Sequence, residues 1–187
     1  LNEELDALVL PGGESTTMRV ASDTHGLLMR IYKLLSQNSE LPVLGTCAGA
    51  ILLSNPDNNF KPFIDAEIDR NSYGRQKESF QANLNINGLN IPDIKSGNNL
   101  RNVISNTNYQ PLSISVQTVD GVCNSTGFHG IFIRAPRYGD TRTSTPVVFR
   151  EEEVVGVQNN NMLGLTFHPE LTNDRRFHRW LIGCAIK

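Results

Sequence analysis

The sequence lacks a charge imbalance, a cysteine framework and any long apolar run, and each shortage removes a class of explanation. Lysine and arginine (17) nearly balance aspartate and glutamate (19), leaving a formal net charge of −2. No basic surplus therefore points to nucleic acid or to an anionic membrane. No stretch reaches the roughly 18 consecutive apolar residues expected of a membrane-spanning helix. The three cysteines stand far apart, at 47, 123 and 184. An odd, scattered set makes a poor disulfide framework and has no metal-ligand spacing, so a reducing, cytoplasmic setting and no metal are expected. Internal repeats, low-complexity linkers and the G-x-x-x-x-G-K-[ST] phosphate loop are absent as well.

What is present is an ordinary globular composition. Hydrophobic residues make up 39% of 187, enough for one domain with a sizeable core. We expect residues 1–187 to form that single domain, with 87–127 as a long insertion. After a short polar stretch the chain enters the apolar run Leu5–Leu10, which reads as an internal strand of an α/β domain. Residues ahead of it are therefore expected to be missing from the N-terminus.

Along the chain, Leu5 to Leu10 ends at Pro11-Gly12-Gly13, as a buried strand meeting a tight loop does. Met18, Ala21, Leu28, Ile31, Tyr32 and Leu35 recur at mostly three- and four-residue spacing, which predicts an amphipathic helix started by Ser15 or Thr16 as cap. Leu41 to Cys47 predicts a second buried strand, and Ala48 to Leu53 a helix ending before Pro56. Phe63–Ile68 and Phe80–Ile86 read as strands, the latter alternating Phe80, Ala82, Leu84 and Ile86. Residues 87–127 are polar and weakly patterned, with short strands at most around 100–104 and 112–119. Further strands are expected at Phe128–Arg134, Val147–Phe149, Val154–Val157 and Met162–Phe167. A closing helix from about Asn173 carries Phe177, Trp180, Leu181 and Cys184 on one face. Strand–helix alternation followed by strands predicts an α/β fold with a mostly parallel central sheet.

Three segments carry residue types suited to chemistry. Gly45-Thr46-Cys47-Ala48-Gly49 lies between an apolar strand and an apolar helix, the nucleophile-elbow pattern with sulfur in place of a hydroxyl. There the helix dipole and free amides favour thiolate, and the Ala48 N–H faces a carbonyl under attack. The bland alternative is a small buried core cysteine beside a glycine turn. His168-Pro169-Glu170 follows a strand, and residues two apart in extended backbone project to one side. A carboxylate on one ring nitrogen sets the tautomer and leaves the other to take the thiol proton; alone, the motif is weak and reads first as a structural histidine beside a solvated glutamate. Pro11-Gly12-Gly13-Glu14-Ser15 lets backbone amides approach a ligand, or is a plain tight turn. Arg70 and Arg134 lie at strand ends, where either can clamp a carboxylate or remain a solvated charge. His25, His129, His178, Cys123 and Cys184 are read as structural.

Together these segments resemble the glutaminase subunits of pyridoxal 5′-phosphate synthase, a family of class I glutamine amidotransferases. The resemblance rests on LDALVLPGGESTTM (5–18), LPVLGTCAGAILL (41–53), RNSYGRQKESF (70–80), FIRAP (132–136) and TFHPELTNDRRFH (166–178). It implies a three-layer, flavodoxin-like fold in which the family's N-terminal strand and helix, ahead of the Leu5–Leu10 strand, are missing. It implies Cys47 as nucleophile with His168 and Glu170 completing a triad, and Gly13, Glu14, Ser15, Arg70, Ile133 and Arg134 as glutamine contacts. Gly13 and Ala48 amides would form the oxyanion hole. The implied reaction hydrolyses L-glutamine to L-glutamate and ammonia through a thioester. The implied partner is a (β/α)₈-barrel synthase subunit that receives the ammonia for vitamin B6 biosynthesis, with no cofactor, nucleic acid or membrane required. The resemblance also implies the labels hydrolase and lyase together. The stretch 87–127 is longer than the family's usual link between R-N-S-Y-G-R-Q and F-I-R-A-P. Competing readings are a glutaminase feeding another synthase, a non-catalytic binding subunit, and a redox-sensing cysteine protein; the first is disfavoured by R-N-S-Y-G-R-Q and F-I-R-A-P.

Overall fold

The structure, a computed structural model, describes residues 5–57, 59–70, 79–91 and 126–186. The strands are β1 (Leu8–Leu10), β2 (Val43–Thr46), β3 (Ile68–Asp69), β4 (Phe80–Ile86), β5 (Gly127–Phe132), β6 (Arg137–Tyr138), β7 (Thr145–Arg150), β8 (Glu153–Asn159) and β9 (Met162–Leu165). The helices are α1 (Ser15–Asp23), α2 (Leu27–Gln37), α3 (Ala48–Ser54) and α4 (Arg176–Ala185), with a 3₁₀ turn at Pro169–Leu171. The insertion expected at 87–127, with its strands around 100–104 and 112–119, falls almost wholly outside the described residues.

Alternation along the central strands builds the layers. Val43 and Met162 enter a core with Leu28, Ile31, Tyr32 and Leu35 of α2 and with Ala50, Leu52 and Leu53 of α3. Their neighbours Leu44, Leu163 and Leu165 enter a second core with Phe128, Phe132, Phe167 and the α4 residues Phe177, Trp180 and Leu181. Successive side chains of a strand leave on opposite faces, so a strand buried along its whole length needs helices on both sides. That is the three-layer arrangement.

The main sheet runs β1-β2-β9-β8-β7-β4-β5, and β3 pairs with β6 in a small second sheet. β1 with β2 and β2 with β9 are parallel, whereas β9–β8, β8–β7, β7–β4 and β4–β5 are antiparallel. The sheet is thus mixed, not mostly parallel as the strand–helix alternation predicts. Two-residue hairpin turns cause this: Glu151 and Asn160 take φ of 55° and 51°, reversing the chain between β7 and β8 and between β8 and β9. The sheet also curls. β5 stands last in the strand order of the described residues, yet its Ile131 carbonyl accepts the amide of His168, just beyond β9, at 2.8 Å.

Three local expectations change. The single helix predicted from Met18 to Leu35 is two, separated at Thr24–Gly26, where Gly26 has φ 61° and the Ser22 hydroxyl accepts the Leu28 amide at 2.6 Å. The strand expected at Phe63–Ile68 is confined to Ile68–Asp69. Phe63 and Ile64 instead give their amides to the Leu53 carbonyl at the end of α3, at 2.9 and 3.3 Å. The closing helix begins at Arg176, where the Asp174 carboxylate accepts the Arg176 amide at 3.0 Å.

Candidate active site

The elbow forms because two glycines let three elements meet. A Cβ on Gly45 would stand 2.7 Å from Leu53 Cδ1 and 2.9 Å from the Gly49 carbonyl carbon. A Cβ on Gly49 would stand 1.9 Å from the Leu10 carbonyl oxygen, so α3 lies directly against β1. Between them Cys47 takes φ 49° and ψ −106°, a region that costs a non-glycine residue about 1–3 kcal/mol. It is held there from both sides. Its amide donates to the Leu165 carbonyl at 2.8 Å and its carbonyl accepts from the Ala50 amide at 3.1 Å. The side chain is buried, with Sγ 3.9 Å from the Ile133 carbonyl oxygen. Ala48 opens α3, so its amide is among those a helix leaves without an internal partner.

His168 follows β9 and is fixed through its amide on Ile131 and through Nδ1, 2.7 Å from Glu170 Oε1. Nε2 is buried without a hydrogen bond of ordinary geometry. Burial works to lower the imidazole pKa, but the neighbouring Cys47 sulfur and then the Glu170 carboxylate outweigh it and lift the pKa to about 9. The ring is thus set between a sulfur and a carboxylate, both of which favour its charged form. For Glu170, burial opposes ionisation, but the His168 hydrogen bond and the residue's own amide hold its carboxyl below the usual value. His178, read from sequence as structural, comes near enough for its charge to act on Glu170, and its own pKa is pushed down by burial and Arg175.

The Pro11–Glu14 loop joins β1 to α1. Gly13 has φ 148°, an angle that favours glycine, while a Cβ there would meet only Met18 Sδ at 3.5 Å. Glu14, and neither Ser15 nor Thr16, caps α1. Its carboxylate accepts the Thr16 amide at 2.9 Å and the Thr17 amide and hydroxyl at 2.6 and 2.7 Å. Those bonds pull its pKa down to about 2. Ser15 is buried as the first residue of α1. Arg70 reaches the same corner, donating from Nη1 to Thr16 Oγ1 at 3.1 Å. Ile133 and Arg134 follow β5, with Arg134 exposed at φ 44°. Neither arginine is in an ion pair among the described residues.

Cys47, His168, Glu170, Ile133 and the glycine loop therefore meet at the carboxyl ends of β1, β2, β5 and β9, where ligands of α/β sheets bind. Sequence reasoning does not single out Gly12 as a site residue, yet a Cβ there would stand 2.4 Å from His168 Cε1 and 3.4 Å from Cys47 Cβ. The doubled glycine is the available signal. A cavity of 350 Å³ lined by Leu35, Phe60, Phe63, Asn159 and Met162 lies at the amino end of β9 and shares none of these residues.

Comparison with known proteins agrees with this geometry. The model of the SNO glutamine amidotransferase family matches residues 1–109 and 110–187. The pyridoxal 5′-phosphate synthase subunit PdxT of Pyrococcus abyssi is 33% identical, over 98% of this chain and 79% of its own. That of Staphylococcus haemolyticus is 32% identical, over 99% and 81%. A crystal structure of a glutamine amidotransferase superposes with a TM-score of 0.69 at 31% identity, covering 98% of this chain and 80% of the other. A glutamine amidotransferase from Thermotoga maritima, 19% identical with a TM-score of 0.51 over 97% of this chain and 63% of its own, shares the fold alone. These matches correct one expectation. Glutamine amidotransferase chemistry is amide hydrolysis, so the lyase label belongs to a synthase as a whole and not to this chain.

Proposed function

The chain belongs to the SNO glutamine amidotransferase family, and from that premise we propose that it is the glutaminase subunit of a pyridoxal 5′-phosphate synthase. It hydrolyses L-glutamine to L-glutamate and ammonia and acts with a synthase subunit. The observation that carries the reading is the Cys47 elbow beside an imidazole held by Glu170 at 2.7 Å. In this reading the Cys47 thiolate attacks the side-chain amide carbon of glutamine. The oxyanion that forms is met by the amides of Gly13 and Ala48. The His168 imidazolium gives its proton to the departing ammonia, leaving a thioester on Cys47. A water then loses a proton to His168 and attacks the thioester, releasing glutamate and restoring the starting pair. Glu170 keeps the ring in place throughout.

Arg70 and Arg134, with Glu14, Ser15 and Ile133, supply contacts to the amino acid end of glutamine. Among the described residues neither arginine is paired with a carboxylate, which suits a cation that is to hold an α-carboxylate. The partner is a (β/α)₈-barrel subunit that consumes the ammonia in the cytoplasm. Residues 1–187 act as one domain, with 87–127 as an insertion. Among the described residues no helix is long and apolar enough to cross a membrane.

The test is glutamate release from glutamine with and without the synthase subunit, alongside Cys47→Ala. Turnover that requires both Cys47 and the partner is expected. Equal turnover by Cys47→Ala, or none from the assembled wild type, refutes the proposal.

A further inference from the structure

We propose that Gly12 is a positioning residue, whose missing side chain sets the distance between the His168 imidazole and Cys47. The inference rests on the triad reading above and concerns how the triad is spaced. A Cβ on Gly12 would stand 2.4 Å from His168 Cε1, 3.0 Å from Nδ1 and 3.4 Å from Cys47 Cβ. The glycine thus leaves open the corner between nucleophile and base that a side chain would enter.

The backbone does not require glycine at this position. The glycines with positive φ are Gly13, Gly26 and Gly88 among the described residues, and Gly12 is not one of them. An alanine would meet no conformational penalty of the kind it would meet at Gly13. The only obstacle is the histidine.

That ring cannot step aside freely. Nδ1 is tied to Glu170 and the His168 amide to Ile131. The residue is 9% exposed, and Phe167 before it is fully buried. A methyl group at Gly12 therefore moves the imidazole by about 1 Å or breaks its bond to Glu170. A misplacement of about that size costs on the order of 10²-fold in rate. The loss falls on kcat, since the spacing of acid and nucleophile governs the proton given to ammonia.

The experiment uses the chain assembled with its synthase subunit, as wild type, Gly12→Ala, His168→Ala and the double variant. Gly12→Ala is expected to lower kcat by about 10²-fold with KM for glutamine changed by less than about threefold. In the His168→Ala background the same substitution is expected to cost nothing further, because the group it displaces is gone. Additive losses overturn the inference. A second readout needs no glutamine: the pH dependence of Cys47 alkylation by iodoacetamide. Gly12→Ala is expected to move that profile towards that of His168→Ala, and a profile like wild type overturns the inference. If Gly12→Ala fails to fold, recovery of folding in the double variant supports the clash with the ring, and failure of both overturns it. Absence of glutamine turnover in the assembled wild type would instead sink the functional reading, while the alkylation arm still decides the role of Gly12.

Discussion

Replacing Gly49 by alanine has the opposite sign here from what its helical setting alone implies. In an exposed helix interior Gly→Ala gains about 1 kcal/mol. At Gly49 the new Cβ would stand 1.9 Å from the Leu10 carbonyl oxygen and 2.6 Å from its carbon. Carbon and carbonyl oxygen ordinarily approach to about 3.3 Å, so Leu10 must retreat by roughly 1.4 Å or α3 must tilt. Neither is free: Leu10 sits opposite Gly45 in the parallel β1–β2 ladder, and every residue of α3 is buried. Overpacking of this kind costs about 1–3 kcal/mol, and a sheet hydrogen bond lost with it about 1 kcal/mol. After the helical gain is subtracted, about 2 kcal/mol of net destabilisation remains. For a domain of this size that lowers Tm by about 4–8 °C. Thermal unfolding followed by circular dichroism measures it directly. Gly127→Ala serves as control, because a Cβ there meets nothing within 4 Å. A Gly49→Ala variant as stable as wild type, or more so, would refute the argument that glycine at the elbow answers to β1.

Glu170→Gln removes a charge that helps raise the His168 pKa to about 9, so the alkaline limb of glutamine turnover should move to lower pH; an unmoved limb would show that the carboxylate does not hold the imidazolium. The same pair predicts a stability trend. A histidine raised from about 6.5 to about 9 on folding contributes fully below about pH 6.5 and loses that contribution as pH rises through about 9. Denaturant midpoints across that range should fall in wild type and fall less in Glu170→Gln. Arg70→Lys keeps the charge but not the planar fork, and should raise KM for glutamine about tenfold with kcat little changed, unless Arg70 serves only Thr16. Gly164→Ala would bring a Cβ within 2.4 Å of the Tyr138 hydroxyl and 2.8 Å of Ile64 Cδ1, and should cost about 1–3 kcal/mol of stability by denaturant titration.

The parts legible from sequence are those that local pattern determines. Phe80 to Ile86 alternates and is a strand, Leu28 to Leu35 follows helical spacing and is buried on that face, and the glycine-flanked Cys47 lies between β2 and α3. The H-P-E tripeptide brings imidazole and carboxylate together because both belong to one short segment. What sequence hid depends on partners remote along the chain. Phe63 and Ile64 read as strand residues, but their amides are claimed by Leu53. Pairing direction in the outer sheet follows from hairpin turns at Glu151 and Asn160, and Glu151 is not a residue type that announces such a turn. Cap preference favours Ser15 and Thr16 over Glu14, since a rule built on short polar side chains gives no hint of a longer carboxylate folding back. Gly12 matters through the space it leaves to a histidine more than 150 positions away.

The bond from the His168 amide to the Ile131 carbonyl makes the triad a proofreader of strand pairing. A one-residue slip of β5 against β4 would turn Ile131 to the other face and withdraw the acceptor that steadies the histidine. Ile133, whose carbonyl lies beside the sulfur, would be carried off by the same slip. A molecule with its outer sheet assembled out of step would thus carry every required side chain and still be silent. Specific activity should therefore report the fraction of chains with β5 in register, a defect that helix content would miss.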